Sequence, residues 1–279
     1  MENVSVHLSE YELDPLPLQR INRPPLDERS GKYRLRFARN TRDLQGCMRL
    51  RYEVFNLELG EGLAESESSG LDRDRFDDVC DHLMVIDEKT EEVIGTYRMQ
   101  TWEMGQGPMG FYSAGEYDLS GIPSEFIESS VELGRAAVAL HNRDKTVLFL
   151  LWRGLMAYLR WNHKRHFFGC SSITSQDPEE GLQAYDWLKR SGHIHKEFEA
   201  LPLSSYRCDS GPRETFAGEY AIPKLFALYI RYGAKLCSPP AIDREFGTID
   251  FLTWTDTKRM GRRQIVMLSR GLPKGPRTK

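Results

Sequence analysis

The sequence predicts a mixed α+β fold with one main domain. Segments with the two-residue alternation of strands are interleaved with segments that have the apolar spacing of helices. Two predicted strands are separated only by the polar residues 88–91, which is a hairpin signal. Strands that alternate with helices, combined with a hairpin, favour one mixed sheet packed against helices. Residues 32–270 contain no glycine-, serine- or proline-rich linker, so we treat them as one domain.

Each predicted element has a local signal. Asn40 or Thr41 can cap the first helix, and Gly192 follows the end of a later one. The segment that starts near residue 145 is at first apolar on all sides, which indicates a buried helix. In chain order we expect a strand at 33–38, a helix to about residue 56, an acidic loop at 60–78, strands at 81–87, 92–100 and 130–139, a helix at about 145–162, a strand at 166–173, helices at 177–190 and from near Pro223, and a strand near 249–255.

The two ends of the chain lack these patterns. Residues 1–31 contain four prolines and little apolar periodicity, so we expect a loosely ordered lead-in, and we expect the basic tail 271–279 to be mobile. The N-terminus has no basic segment followed by an apolar one, so it does not read as a signal peptide. The longest apolar run, 147–152, is far shorter than the roughly 18 residues that span a bilayer. These features predict a cytoplasmic protein.

Composition excludes several function classes. The net charge of −3 gives no global attraction for nucleic acid, and the basic clusters lack interleaved aromatic residues. The five cysteines are scattered without a C-x-x-C pair, which favours reduced thiols over disulfides. The histidines imply no third metal ligand, and the chain has no P-loop or dinucleotide fingerprint. We therefore predict no metal and no resident cofactor.

Charged residues interrupt the first helix and fill the loop after it. Arg51 lies in the apolar stripe of the helix, where it either pairs with a core carboxylate or holds a substrate carboxylate. The loop and its end contain Asp72, Asp74, Asp77, Asp78 and Asp81. Such a charge run is either a solvated loop or a set of carboxylates that binds a cationic amine.

Two more charges interrupt the apolar strand 130–139. A regular strand would place Glu132 and Arg135 on opposite faces. Gly134 lies between them, and an isolated glycine in a strand often marks a bulge, which brings both side chains to one side. Buried charges are costly unless they are paired. The two residues are therefore either a structural ion pair or part of an active site.

The order of these residues resembles that of acyl-homoserine-lactone synthases and their relatives, the ornithine–acyl-carrier-protein N-acyltransferases and long-chain N-acyl amino acid synthases. The signature residues are Arg51-x-x-x-Phe55-x-x-x-Leu59-Gly60, Asp74-x-Phe76-Asp77, Gly95-Thr-Tyr-Arg98 and Glu132-x-x-Arg135. Residues 223–251 look like the C-terminal half of the ornithine branch. The resemblance implies the GNAT fold: a mixed, mostly antiparallel sheet flanked by helices, with a splayed and bulged strand at 130–139.

The resemblance also implies the reaction. A (3-hydroxy) fatty acyl group would move from acyl carrier protein to the α-amino group of an amino acid, with ornithine expected, as in lyso-ornithine lipid synthesis. The lactone synthases have tryptophan after Leu-Gly, whereas this chain has Glu61, which argues against their S-adenosylmethionine acceptor. Acetyl-CoA-using members have a glycine-rich phosphate loop, and 139–146 contains no glycine. The 4′-phosphopantetheine would arrive on the carrier protein, with its phosphate near Arg143 or Lys145.

Residue roles follow from the same resemblance. Glu132 would be the general base, with His82 as the reserve candidate. His82 and Asp87 also spell an H-x4-D pattern, but residues five apart in a strand point to opposite faces, so the two cannot act as a dyad. A backbone N–H near Ala136 or Ala137 would stabilise the thioester oxyanion. The other assignments are Arg51, Arg98 and Arg135 to the acceptor's carboxylate or the acidic loop, Asp74 and Asp77 to those arginines or the acceptor's side-chain amine, Phe55 to substrate binding, Lys164 and Arg165 to carrier docking, and Asp243 and Asp250 to loop capping or the family pattern.

Other interpretations remain open at this level. The acceptor is another amino acid or amine, or the chain is a non-catalytic protein that binds acyl carriers or lipids on the same fold. A third interpretation is that the protein simply hydrolyses the thioester. Transient contact with the inner membrane surface through basic segments is compatible with each of them.

Overall fold

The structure is a computed structural model and describes residues 23–208, 211 and 213–276. The strands are β1 Asp27–Ser30, β2 Tyr33–Phe37, β3 Asp81–Asp87, β4 Glu92–Thr101, β5 Tyr117–Asp118, β6 Ser130–Val138, β7 His166–Ile173, β8 Leu201–Pro202, β9 Lys235–Leu236, β10 Ala241–Asp243 and β11 Thr248–Asp256. The α-helices are α1 Thr41–Tyr52, α2 Ser66–Ser69, α3 Trp102–Gly105, α4 Ser124–Ile127, α5 Lys145–Trp161, α6 Pro178–Arg190, α7 Lys224–Arg231 and α8 Arg262–Ser269. A π-helix, Glu53–Leu59, continues α1.

One large sheet organises the molecule. Its strand order is β1-β2-β3-β4-β6-β7-β11-β10, and β9 also pairs with β11. The pairings between these strands are antiparallel except that of β6 with β7, which is parallel. A small second sheet pairs β5 with β8. The expected mixed, mostly antiparallel α+β fold is confirmed.

Helices cover both faces of the sheet because its central strands alternate. Leu83 and Val85 of β3 join the core cluster that contains most of α5, whereas Met84 packs with Cys47 of α1. Successive strand side chains point to opposite faces, so α1 and α5 lie on opposite sides. Buried apolar residues surround most of α5, as its sequence predicts, and the side chain of Asp144 caps its N-terminus.

The longer elements match their predicted bounds, and the exceptions are short or lie near the ends. Of the expected lead-in 1–31, residues 1–22 lie outside the described residues, and Asp27–Ser30 form β1 because they pair with β2. Helix α8 was not predicted. In the expected mobile tail, Leu272 is buried and His163 donates a hydrogen bond to the carbonyl of Pro276, whereas residues 277–279 are not described.

Strands β6 and β7 separate shortly after they begin. Their parallel pairing covers only the first three residues of β6 and ends at Glu132. On its other edge β6 is bulged, because its register with β4 shifts near Arg98, and Arg135 takes a left-handed φ of 48°. The expected splayed and bulged strand at 130–139 is confirmed. Backbone groups beyond Glu132 that point away from β4 face a gap in place of a neighbouring strand.

Candidate active site

A cavity of about 700 Å³ occupies the gap between β6 and β7 and extends between α5 and α7. Small-molecule sites commonly measure about 300–1,000 Å³. At the fork the strands approach so closely that a Cβ atom on Gly169 would lie 2.1 Å from the carbonyl oxygen of Leu133. Only glycine fits there. Among the predicted site residues, those that line the cavity are Phe55, Arg98, Glu132, Arg135, Ala136, Ala137 and Arg143.

Glu132 is held rigidly at the wall of this cavity. Its carboxylate accepts hydrogen bonds from the backbone N–H groups of Tyr112 and Ser113, both at 2.9 Å, and from the Ser113 hydroxyl at 2.6 Å. Burial raises the pKa of the Glu132 carboxyl, and these hydrogen bonds together with the nearby Arg98 charge offset part of that rise. Glu132 thus combines a fixed position with a pKa moved towards that of a general base.

The acidic loop is neutralised by three arginines. Arg51 forms a fork with both carboxylate oxygens of Asp77, at 2.7 and 3.0 Å, and also contacts Asp72 at 3.1 Å. Arg98 contacts Asp74 and Asp77, and Arg135 donates to Asp74 at 2.9 Å. We call these six residues the aspartate–arginine network: Arg51, Asp72, Asp74, Asp77, Arg98 and Arg135.

The network resolves two alternatives that the sequence leaves open. Arg51 is fully buried and pairs with core carboxylates, and the aspartates pair with arginines and do not line the cavity. Burial alone would raise the pKa of Asp77, but the charges of Arg51 and Arg98 outweigh it and hold that pKa well below its usual range. These aspartates are therefore unsuited to bind an incoming amine, because their charge is already compensated.

The position of His82 argues against its expected role as the reserve base. Its Nε2 atom lies 3.1 Å from the carbonyl oxygen of Asp77, inside the loop packing, and the side chain does not line the cavity. Burial lowers the pKa of His82 to about 4, although the Asp77 charge acts in the opposite direction. The neutral ring packs beneath the aspartate–arginine network, away from the place where a substrate fits.

Glu132 and Arg135 are not an ion pair, because each has other partners. Arg135 reaches back over the bulge to Asp74, and its guanidinium lies 4.4 Å from the ring centre of Phe246. Arg98 and Arg135 both line the cavity. The Nη2 atom of Arg98 is buried and has no hydrogen-bond partner among the described residues. An unsatisfied guanidinium donor at a cavity wall is suited to bind a carboxylate.

A second group of acids lies at the cavity. From the sequence, Asp243 and Asp250 are expected only as loop-capping or family-pattern residues, and Glu116 is missed. Glu116, Asp243 and Asp250 are each at most 5% exposed, and Asp250 and Cys170 line the cavity. The Sγ of Cys170 and carboxylate oxygens of Glu116 and Asp250 lie within 4.8 Å of one another. We call Glu116, Cys170, Asp243 and Asp250 the acidic pocket.

Among the described residues, no basic side chain forms an ion pair with Glu116, Asp243 or Asp250 of the acidic pocket. The Oε1 of Glu116 and the Oδ1 of Asp250 have no hydrogen-bond partner within the described ranges. Burial raises the pKa of Asp250 to about 6, and burial together with the charges of Asp250 and Asp243 raises that of Glu116 well above its usual value. Asp243 also caps its own turn by accepting from the N–H groups of Glu245 and Phe246, so its expected capping role is confirmed.

Basic residues line the end of the cavity that lies towards α5 and α7. Arg143, Lys224 and Arg231 are among its lining residues, and Arg143 forms a two-pronged ion pair with Glu58. Lys145 is the first residue of α5, two positions after Arg143. The other predicted carrier contacts are elsewhere. Lys164 donates to Glu103, and Arg165 forks onto Asp256, and neither is among the residues that line the cavity.

Comparisons with known proteins agree with this architecture. The model of the Acetyltransferase (GNAT) domain family matches residues 50–153. An L-ornithine N(alpha)-acyltransferase from Agrobacterium fabrum is 34% identical over 236 residues, which is 80% of each chain. One from Brucella abortus is 32% identical over 85% of this chain and 89% of its own. This chain belongs to the L-ornithine N(alpha)-acyltransferase family.

Solved structures that match part of this backbone include an AHL synthase and an N-acyl amino acid synthase. The AHL synthase LasI gives a TM-score of 0.48 at 12% identity and covers 89% of this chain and 100% of its own. The N-acyl amino acid synthase FeeM from uncultured soil microbes gives 0.48 at 9% identity, over 83% and 95%. As a member of the L-ornithine N(alpha)-acyltransferase family, the protein is an acyltransferase enzyme. No helix in its described part is both long and apolar enough to cross a membrane.

Proposed function

We propose that the protein transfers a fatty acyl group from an acyl carrier protein to the α-amino group of L-ornithine. The relatives supply the acceptor, since they are named for acylating ornithine at this nitrogen. The observation that carries the reaction type is Glu132, fixed at the wall of the cavity between β6 and β7. Arg98, with its unsatisfied donor, lies opposite Gly134 in the neighbouring strand β4 and also lines the cavity, which suits it to hold the acceptor's carboxylate.

The two ends of the cavity fit two substrates. Towards α5 and α7 the lining is apolar and includes Leu148, Trp152 and Leu228, which suits an acyl chain. Towards the fork the lining is polar and includes Glu132 and Arg98. The basic residues Arg143, Lys224 and Arg231 at the end towards α5 and α7 support acyl carrier protein as the donor, because carrier proteins are acidic and complementary charge speeds association.

The chemistry is direct aminolysis of the thioester. Glu132 takes a proton from the α-ammonium, directly or through water, and the free amine attacks the thioester carbon. N–H groups of the unpaired β6 edge near Ala136 and Ala137 stabilise the oxyanion, a contribution of about 3 kcal/mol in comparable sites. The C–N bond forms and the C–S bond breaks. The carrier thiolate leaves with the proton that Glu132 returns, and the attacking nitrogen loses its second proton to solvent as the amide forms.

Free thiol release from a 3-hydroxyacyl carrier protein, with mass spectrometry of the product, tests the function. We expect release that depends on ornithine and yields N-acyl-ornithine. Release without any amine would indicate a thioesterase, and no release with any amine would leave a binding protein. The burial of Glu132 beside Arg98 favours the enzyme, because a binding shell gains nothing from such charges.

The role of Glu132 has its own test. Glu132→Gln keeps the shape and one acceptor for the Tyr112 and Ser113 donors, so we expect turnover to fall by roughly 10²- to 10⁴-fold with a much smaller loss of stability. Ser113→Ala is the matched control, since it removes the 2.6 Å hydroxyl contact and leaves the carboxylate. Equal proportional losses of activity and stability in Glu132→Gln would reject the catalytic role.

A further inference from the structure

We infer that the acidic pocket binds the side-chain ammonium of the acceptor and makes the enzyme selective for a diamino acid. This inference rests on the proposed function and extends it to Glu116 and Asp250, which would determine specificity. From the sequence, the acidic loop before β3 was one candidate for this role. In the structure the aspartates of that loop are paired with arginines, so the side-chain ammonium of the acceptor needs another partner.

Burial without compensation is the first observation. Glu116 and Asp250 are both 3% exposed, and each keeps one carboxylate oxygen without a hydrogen-bond partner in the described chain. Leaving a buried acceptor unsatisfied costs about 1–3 kcal/mol, and more for a charged group. Such a cost persists where a ligand supplies the missing donor. An ammonium group supplies three donors and the opposite charge.

The position of the pocket along the cavity is the second observation. Tyr112 connects the catalytic wall to the acidic pocket, because its N–H donates to Glu132 and its hydroxyl lies 3.4 Å from a carboxylate oxygen of Asp243. One tyrosine therefore spans the separation between the proposed base and Asp243 of the acidic pocket. Extended ornithine has a comparable reach, with five bonds between its two nitrogens. Its α-amino group can sit at Glu132 while its terminal nitrogen enters the pocket.

The chemistry of the pocket favours an ammonium over a metal ion. Burial raises the pKa of Cys170 well above its usual value, and its thiol lies 3.7 Å from Glu116 in donor geometry. A metal ligand has to be a thiolate, so this thiol leaves a metal only two carboxylates within the cluster. The walls also include Phe168 and Phe246, which keep water out and strengthen the attraction for a cation.

The experiment compares ornithine with L-2-aminopentanoate, which is ornithine without its terminal nitrogen. Wild type, Asp250→Asn, Glu116→Gln and the exposed-site control Glu125→Gln are assayed with the same acyl carrier protein. We expect Asp250→Asn and Glu116→Gln to lower kcat/KM for ornithine by roughly 30-fold or more, as for the loss of one partner of a buried charge pair. Their kcat/KM for 2-aminopentanoate should stay level or rise.

Each outcome bears on one claim. Wild type that acylates neither amine would overturn the proposed function itself. Wild type that acylates ornithine, with both variants retaining its preference over 2-aminopentanoate, would overturn this inference alone. Copurification of a stoichiometric divalent metal, whose removal abolishes ornithine turnover, would also overturn it. A parallel thermal shift with ornithine and no donor should be present in wild type and lost in Asp250→Asn, which separates binding from chemistry.

Discussion

The aspartate–arginine network and the acidic pocket are both built from buried carboxylates, yet their electrostatics are opposite. In the network, Asp77 receives a two-pronged contact from Arg51 and a third contact from Arg98. In the pocket, Asp250 meets another carboxylate, Glu116. The first arrangement holds a loop in place, and the second stores an unfavourable interaction that a cationic substrate can relieve. Burial of an acid therefore points to a binding site only where the counter-charge is missing.

The strongest test of this contrast is Asp77→Asn. Removing the charge leaves Arg51 and Arg98 buried with one partner fewer, so we expect the free energy of unfolding to fall by about 3–5 kcal/mol. Chemical denaturation measures it. The adjacent Asp78→Asn is the matched control, because Asp78 is exposed and pairs with exposed Arg73 at 3.5 Å, and should change stability by less than about 0.5 kcal/mol. Equal effects would mean that the network contributes no more than a surface contact.

The opposite sign is expected for Asp250→Asn. At pH 7.5 the wild-type carboxylate is ionised against burial and against the charge of Asp243, so the amide should raise the free energy of unfolding by about 1–3 kcal/mol. Denaturant melts without acceptor measure the change. Because the same substitution is expected to reduce ornithine turnover, stability and function would move in opposite directions. A loss of stability comparable to that of Asp77→Asn would show that the two clusters are alike.

The pH dependence of stability sharpens the comparison. The folded pKa of Asp250 is raised from 3.8 to about 6, so its contribution is fully present below about pH 3.8 and is lost as the pH rises through about 6. The folded pKa values of Asp74 and Asp77 are lowered, so their contributions are present above about pH 3.8 and are lost as the pH falls below it.

Melting temperatures from pH 3 to 8 check these signs. The difference between wild type and Asp250→Asn should grow from pH 4 to about pH 7 and then level off. The wild type should lose stability more steeply than Asp77→Asn on the acid side. A wild-type curve that runs parallel to that of Asp250→Asn would contradict the raised pKa.

The sequence predicts the network better than the pocket, for a physical reason. Local periodicity predicts the strands and long helices, and Gly134 in an apolar strand indicates the bulge beside Arg135. The pocket instead joins Glu116 to Asp250 across 134 residues, through the segment between β4 and β6, where the helices are three or four residues long. Asp250 alternates regularly along β11, so no local pattern marks it. Carboxylates that lack a basic neighbour in sequence cannot be assumed to be unpaired, because the residues that neutralise a carboxylate are brought to it by the fold.

The smallest expected effect belongs to Tyr112, which contacts both clusters. Its ring lies 4.9 Å from the Arg135 guanidinium, and its hydroxyl lies 3.4 Å from Asp243. Tyr112→Phe removes the hydroxyl, with its 3.4 Å contact to Asp243, and keeps the ring and the N–H bond to Glu132. We expect less than about 1 kcal/mol of stability change and a rise in KM for ornithine of a few-fold, with kcat nearly unchanged. A large fall in kcat would mean that the Tyr112 hydroxyl takes part in proton transfer, in which case the acids and the catalytic wall would work as one unit.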